Sequence, residues 1–133
     1  MKKAALFLFL FFVQNCFSQL YKYQKLEKNT EKNIIVEKIS EDELHSTYII
    51  TINNNVPLHY HKNHSENIVV LDGTAIMKIG EDTLKIAPKD QITIPKGVIH
   101  EVIEVIGKTP LKVISVQSPK FDPKDRYFIK KRN

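Results

Sequence analysis

The chain has 133 residues, of which 42% are hydrophobic and 26% are charged, and its formal net charge is +5 at pH 7. This length and composition allow one domain with a buried core and are too small for two. The sequence has no Gly-rich phosphate loop, no basic helix and no nucleic-acid-binding motif, so we expect no nucleic-acid partner.

The first 18 residues have the pattern of a secretory signal peptide. A basic start at residues 1–3 precedes an apolar run at residues 4–13, and the small residue Ser18 lies just before Gln19. A run of about ten residues is far shorter than the roughly 20 that a membrane-spanning helix needs. We therefore expect cleavage after Ser18, a periplasmic or secreted protein, and no stable membrane insertion.

Cys16 is the only cysteine, and it allows a second interpretation of the N-terminus. In this alternative the protein is a lipoprotein anchored through Cys16, although Asn15 is a poor match to the small residue expected before a lipidated cysteine. If cleavage follows Ser18 instead, the mature chain contains no disulfide and no thiolate ligand.

Residues 19–46 are expected to pack on the following domain as strands and loops. Tyr21 and Tyr23 alternate with Lys22 as in an edge strand, and the β-branched run at residues 34–36 indicates another strand. His45 has no second ligand-type side chain at a useful spacing, so we interpret it as a surface or hydrogen-bonding histidine.

Residues 47–118 alternate between short β-prone runs and turn signals. The predicted strands are residues 47–52, 58–61, 67–71, 74–79, 83–87, 91–94, 99–105 and 111–117. No segment has a helical period long enough for a helix, so the pattern predicts an all-β sandwich or barrel. Asp72 and Gly73 form a strong hairpin-turn dipeptide between two of these strands.

Metal-ligand side chains are concentrated in the second predicted strand and just after it. The two-residue period of a strand at residues 58–61 puts His59 and His61 on one face and Tyr60 on the other. One ion could therefore bind both imidazoles, and Glu66 enters the next strand beside them.

A later segment supplies a third imidazole. The short run ending at Ile94 is stopped by Pro95 and turned by Gly97, after which His100 opens another strand. The combined spacing is His59-x-His61-x4-Glu66-x6-Gly73, followed by Pro95-x-Gly97-x2-His100.

This spacing resembles the two motifs of the cupin superfamily, and specifically a small single-domain cupin of type-2-like pattern. The resemblance implies an antiparallel double-sheet jelly-roll barrel with its core at residues 47–118. It also implies a metal site whose ligands are His59, His61, Glu66 and His100.

Three positions depart from the family pattern without touching the four ligands. Asn53 and Lys89 stand where the family usually has glycine, and Glu104 stands where the second motif usually ends in asparagine. Asparagine adopts the left-handed backbone conformation more readily than lysine, so the change at Lys89 is the less favourable one.

Three imidazoles and one carboxylate suit one divalent transition metal, namely Fe, Mn, Zn, Ni or Cu, rather than calcium. A six-coordinate ion would keep two positions for water or substrate, which allows catalysis. A closed tetrahedral zinc site with a purely structural role is the alternative.

Strand parity predicts further residues of the pocket. Met77, Val102 and Glu104 are candidates, and Glu104 shares the parity of His100, so it is a candidate catalytic base or a group that orients the imidazole. His64 lies between two ligands and could carry protons at the mouth of the site. We favour a solvated turn histidine, because turns lie at the surface.

The outward face of the strand that carries Glu66 contains Val69 and Leu71. Either the N-terminal segment or a second subunit could cover them, and the family resemblance implies a homodimer. Residues 119–133 form a basic tail that we interpret as solvated, although it could contact anionic lipid or glycan. We expect Asp122 and Asp125 to be turn or cap residues.

Three functional hypotheses follow. The first is an exported metalloenzyme, of dioxygenase or isomerase type, that acts on a small oxygen-rich molecule at the three-histidine, one-glutamate site. The second is a non-catalytic protein that binds a sugar or organic acid in a metal-dependent way. The third is a structural or interaction role, in which the metal stabilises the fold.

Overall fold

A computed structural model describes residues 20–22 and 31–130 of the chain. The predicted signal peptide, Cys16, Tyr23 and the last three residues lie outside these ranges. Within them, residues 20–22 form no strand, so the edge strand expected at Tyr21 is not present. Nor do these ranges contain any helix with the length and hydropathy required to cross a membrane.

Ten β-strands build the described part of the chain. They are β1 (Ile34–Glu41), β2 (Ser46–Ile52), β3 (Val56–Tyr60), β4 (Ser65–Asp72), β5 (Thr74–Ile79), β6 (Asp82–Ile86), β7 (Gln91–Ile94), β8 (His100–Ile106), β9 (Leu111–Ser118) and β10 (Tyr127–Phe128). Every strand pairing is antiparallel, and no helix occurs in the described ranges. The all-β prediction is confirmed.

The strands form two five-stranded sheets. Sheet I has the order β1-β2-β9-β4-β7, and sheet II has the order β10-β3-β8-β5-β6. Strands that follow each other in sequence, such as β3 and β4, therefore often lie in opposite sheets. This alternation produces the antiparallel jelly roll that was expected. Both β1 and β10 are edge strands outside the predicted core at residues 47–118.

The core lies between the inner faces of the two sheets. Along β4, Ile68 and Val70 are buried on the same side as Glu66, whereas Val69 and Leu71 are only half-buried, so the predicted inward parity is confirmed. The buried apolar cluster consists of Ile52, Ile68, Val70, Ala75, Met77, Ile86, Ile94, Val102, Val105, Leu111 and Val113.

The turn at Gly73 does not make a hairpin, which corrects the expectation from its Asp-Gly dipeptide. β4 belongs to sheet I and β5 to sheet II, so the chain crosses between the sheets here. Gly73 has φ +79°, and a Cβ atom there would clash with the backbone oxygen of Pro110. Only glycine fits this crossing without displacing the β8–β9 connection.

Candidate metal centre

Three histidines meet at one end of the barrel. His59 lies in β3, His61 directly follows that strand, and His100 is the first residue of β8. His59 and His100 are opposite each other in the β3–β8 ladder, and all three imidazoles are buried. Each ring offers one nitrogen that could bind a metal, and these three nitrogens lie within 4.8 Å of one another. The structure thus brings together the histidines that the sequence selected.

Backbone carbonyls orient each of the three rings through Nδ1. The Nδ1 atoms of His59, His61 and His100 lie 2.7, 2.6 and 3.0 Å from the carbonyl oxygens of Pro57, Asp125 and Val98. A carbonyl oxygen can only accept, so each Nδ1 carries the proton and donates it. In the neutral ring, Nε2 then keeps the free electron pair that binds a metal.

Glu66 completes the cluster from the opposite sheet. Its Oε2 lies 3.6 Å from Nε2 of His100 and 3.9 Å from Nε2 of His61. Its other oxygen, Oε1, accepts hydrogen bonds from the hydroxyl of Ser115 and, at 3.4 Å, from Nε2 of Gln117. These two β9 side chains hold the carboxylate so that Oε2 faces the imidazoles.

Charge and burial together set the protonation of these groups. Burial is the largest effect on Glu66 and raises its pKa, but the His100 ring, the Ser115 hydroxyl and the charge of His61 outweigh it and lower the pKa to about 2. Burial, followed by repulsion from His100, lowers the pKa of His59 to about 4. Burial also lowers the pKa of His61. Near neutral pH, His59 and His61 are therefore neutral and Glu66 is charged.

The cluster fits a transition metal. Nε2 of His61 and Nε2 of His100 are buried and have no hydrogen-bond partner among the described residues. Such unpartnered buried groups are costly unless something binds them. Ligand atoms about 2.1 Å from one ion are about 3.0–4.2 Å apart, a range that includes both distances from Glu66 to the imidazoles.

A cavity extends from the cluster between the two sheets. Its empty space, including the part that is open solvent, is about 550 Å³, and side chains from both sheets line it. Apart from His59, Glu66, His100 and Arg126, its described walls are apolar: Ile34, Val36, Ile50, Ile52, Val56, Ile68, Met77, Val102 and Val113. The expectation that Met77 and Val102 line the pocket is confirmed.

Glu104 does not line this cavity. The β5–β8 ladder pairs Met77 with Val102 but Ile76 with Glu104, which leaves Ile103 as an extra residue in a β-bulge. The bulge reverses the alternation after Val102, so Glu104 is exposed although it shares the parity of His100. The predicted position of its carboxylate in the pocket is wrong.

His64 is buried, which corrects its interpretation as a solvated turn histidine. Its side chain is 1% exposed, its ring centre lies 4.1 Å from that of His61, and its Nδ1 lies 2.9 Å from Oδ2 of Asp125. Asp125 follows 61 residues later in the chain. The local sequence therefore contains no sign of this contact, and the only available signal was the presence of an acidic residue in the C-terminal segment.

Asp125 acts as a cap for the turn between β3 and β4, as its expected turn or cap role suggested. Its carboxylate accepts hydrogen bonds from the backbone N–H groups of Lys62, Asn63 and His64, and from the side chains of Asn63 and His64. Burial raises its pKa, but these donors outweigh that effect and lower it. Because the donors occupy both oxygens, we interpret Asp125 and His64 as a structural pair rather than as ligands of a second metal.

Sequence comparison agrees with the fold. The family model described as a cupin domain matches residues 48–117, which is more than half of the chain. The chain belongs to the cupin family. One curated relative, mannose-1-phosphate guanylyltransferase RfbM of Salmonella typhimurium, is 39% identical over 61 residues. That match covers 46% of this chain and only 12% of the length of RfbM.

Solved structures share the cupin fold at low sequence identity. KdgF from Halomonas sp. superposes with a TM-score of 0.63 and 17% identity, over 74% of this chain and 89% of KdgF. A variant of Streptomyces Pac13 with uridine has a TM-score of 0.64 and 13% identity, over 86% of this chain and 95% of Pac13. Another Pac13 structure is described as that of a nucleoside dehydratase. These likenesses show the fold.

Proposed function

We propose that this cupin is an exported metalloenzyme that acts on a small oxygen-rich molecule, in a reaction of dioxygenase or isomerase type. The observation that carries the proposal is the buried convergence of His59, His61 and His100 on Glu66. The Nδ1 atom of each ring is anchored, and two of the Nε2 atoms are unpartnered.

These four residues would hold one divalent transition metal, and the donor set gives the site a net charge of +1. When bound, such an ion supplies Lewis-acid polarisation of a substrate oxygen and lowers the pKa of a coordinated water. The chain contributes the orientation: Ser115 and Gln117 fix the carboxylate, and three carbonyls fix the rings. The apolar walls exclude water from the space where substrate would bind.

The comparisons support an oxygen-rich ligand. RfbM is named for a sugar phosphate, mannose 1-phosphate, and the Pac13 structures are described with a nucleoside. Both molecules carry several hydroxyl oxygens that can approach a metal. The chain spans a small part of RfbM, so its ligand is proposed here only as a chemical class.

The alternative is a non-catalytic protein that binds a sugar or organic acid in a metal-dependent way. One observation favours it: apart from the ligand residues His59, Glu66 and His100, the titratable group in the described cavity wall is Arg126, a poor proton acceptor. Glu104, the expected base, is exposed. Apart from the ligand residues, no described side chain of the cavity wall is a good proton acceptor. A reaction in this cavity would therefore have to use an oxygen of the substrate as the proton acceptor.

Metal analysis of single variants tests the site. We expect near-stoichiometric Fe, Mn, Ni, Cu or Zn in wild-type protein purified without chelator, and a loss of about 10²-fold or more in metal affinity for His59→Ala, His61→Ala and His100→Ala. His45→Ala is the matched control, because His45 is partly exposed, pairs with Asp42 and is not among the clustered histidines. Equal metal retention in all four variants would show that His59, His61 and His100 are not the metal ligands.

Turnover separates the enzyme from the binder. The metal-loaded protein is screened against hydroxylated aromatics, keto acids and sugar derivatives, with and without dioxygen. A substrate consumed by wild type but not by His100→Ala supports the enzyme, and stoichiometric binding without conversion supports the alternative. Because Glu104 is exposed, Glu104→Gln should leave both metal content and turnover unchanged.

Export, with cleavage after Ser18, remains part of the proposal, as does the homodimer implied by the family. The mass of the protein recovered from an exporting host distinguishes a chain that begins at Gln19 from one lipidated at Cys16. Sedimentation equilibrium of the purified protein decides whether it is a dimer.

A further inference from the structure

Arg126 is the one cationic side chain among the described residues that line the cavity. Arg126 is exposed, whereas Glu66 is buried. Apart from the metal cluster, the described cavity wall therefore combines one exposed positive charge with apolar side chains.

Both neighbours of Arg126 are firmly held. Asp125 is 2% exposed and caps the β3–β4 turn. On the other side, Tyr127 and Phe128 form β10 and pair with Tyr60 and His59 of β3. The backbone at Arg126 is thus fixed between a buried cap and a strand, and little of its conformational freedom remains to be lost when a ligand binds.

The guanidinium group of Arg126 has N–H donors that a ligand could use. Its contact within the described residues is with the ring of Phe121, whose centre lies 5.8 Å from Cζ of Arg126. No acidic side chain of these residues forms an ion pair with it. A face contact with an aromatic ring leaves the edge of the guanidinium free, and that edge carries paired N–H donors that match a carboxylate.

We propose that Arg126 is a binding site for the carboxylate of a small organic acid whose apolar body lies along the cavity wall. The inference rests on the proposed function, since it names the substrate class of the same cavity: a carboxylate held by Arg126 and an oxygen that faces the metal ligands. A sugar or nucleoside without an acidic group could not form an ion pair with Arg126. It would also lack an apolar body to pack against the cavity wall.

The test compares acids with uncharged molecules of the same shape. Benzoate and benzamide form one pair, and butyrate and butyramide form another. Binding is measured by ligand-observed NMR to metal-free and metal-loaded protein at pH 7.5. Three variants are compared with wild type: Arg126→Gln, Arg126→Lys, and the matched control Lys124→Gln, a nearby exposed cation that does not line the cavity.

In metal-free protein we expect at least one acid to bind about tenfold more tightly than its amide. Arg126→Gln should remove that preference, Arg126→Lys should restore part of it, and Lys124→Gln should leave it unchanged. If neither acid is preferred over its amide, or if the preference survives in Arg126→Gln, the proposal is wrong. The metal-free measurement does not depend on metal uptake, so failure of the metal site and failure of the Arg126 site give different results.

Discussion

Lys89 occupies a backbone conformation that suits glycine. It is exposed and has φ +82°, the one positive φ of a non-glycine residue in the described ranges. Two hydrogen bonds around it fix this geometry: Lys89 N–H donates to Val70 O, and Val70 N–H donates to Asp90 O. The family pattern indicated glycine at this position, and the structure gives the physical reason.

Replacing Lys89 with glycine should therefore stabilise the protein. A side chain in the left-handed region costs about 1–2 kcal/mol, and part of the gain is lost to the greater freedom of glycine in the unfolded chain. We expect Lys89→Gly to raise the free energy of unfolding by about 0.5–1 kcal/mol, measured by urea denaturation. Lys108→Gly, at an exposed residue without positive φ, should lower it. Equal effects of the two changes would contradict the backbone argument.

Among the structural elements, the C-terminal segment at residues 119–130 connects the two halves of the site. It leaves sheet I after β9 and ends as β10 on sheet II. On the way, the backbone carbonyl of Asp125 accepts the Nδ1 proton of His61, and the carboxylate of Asp125 caps the turn that contains His64. Asp125 thereby orients the candidate metal ligand His61 and holds the turn between β3 and β4.

Asp125→Asn should weaken the cap directly. Asparagine keeps the backbone carbonyl that accepts from His61, so the orientation of that ring should suffer only because the loosened cap lets the carbonyl move. An amide nitrogen cannot accept the N–H donors of Lys62, Asn63 and His64, so buried donors lose their partners. We expect the free energy of unfolding to fall by about 2–4 kcal/mol and the metal affinity to fall about 10–100-fold, as for other groups that orient a ligand. Both are measured on the purified variant, by denaturation and by metal titration.

Asp122→Asn is the control for this change. Asp122 is exposed, and its side chain accepts one bond, from Lys124 N–H, which asparagine can also accept. We expect its stability to change by no more than about 0.5 kcal/mol. An Asp125→Asn protein as stable as Asp122→Asn would show that the buried cap contributes nothing.

The strands and the pairing of His59 with His61 could be predicted because their signals are local, whereas His100 was joined to them through the resemblance to the cupin motifs. Two-residue alternation, turn residues and the spacing of His59, His61 and Glu66 depend on neighbouring residues. The contact between His64 and Asp125 joins residues that are far apart in sequence, and the bulge at Ile103 has no Gly or Pro to mark it. The Gly73 turn was identified, but its sequence does not specify whether the next strand continues in the same sheet.

At the scale of the whole molecule, the four candidate ligands connect the two sheets. His59 and His100 belong to sheet II and Glu66 to sheet I, so a bound ion would link the sheets at one end of the barrel. An ion that binds the folded chain more tightly than the unfolded chain stabilises it by mass action, by about 2.7 kcal/mol at 100 times Kd. Chelation should accordingly lower Tm.

Acid should destabilise the metal-free protein in two steps. His59 has an ordinary pKa of 6.5 and a folded pKa of about 4, so the unfolded chain takes up its proton first and stability falls as pH drops from 6.5 to 4. Glu66 has an ordinary pKa of 4.5 and a folded pKa of about 2, so its stabilising contribution, full above pH 4.5, is lost toward pH 2.

The first step is the more accessible to experiment. We expect the free energy of unfolding of the chelated protein to fall by on the order of 3 kcal/mol between pH 7 and pH 4, with His59 as the main contributor. In His59→Gln most of that fall should disappear, because glutamine does not titrate, while the fall below pH 4 should remain. Added metal should raise Tm at pH 7 and lose this effect as the pH falls toward the folded pKa of His59, about 4, where protons compete with the ion for that imidazole. A pH profile identical in wild type and His59→Gln would contradict the assignment of a buried neutral imidazole at this position.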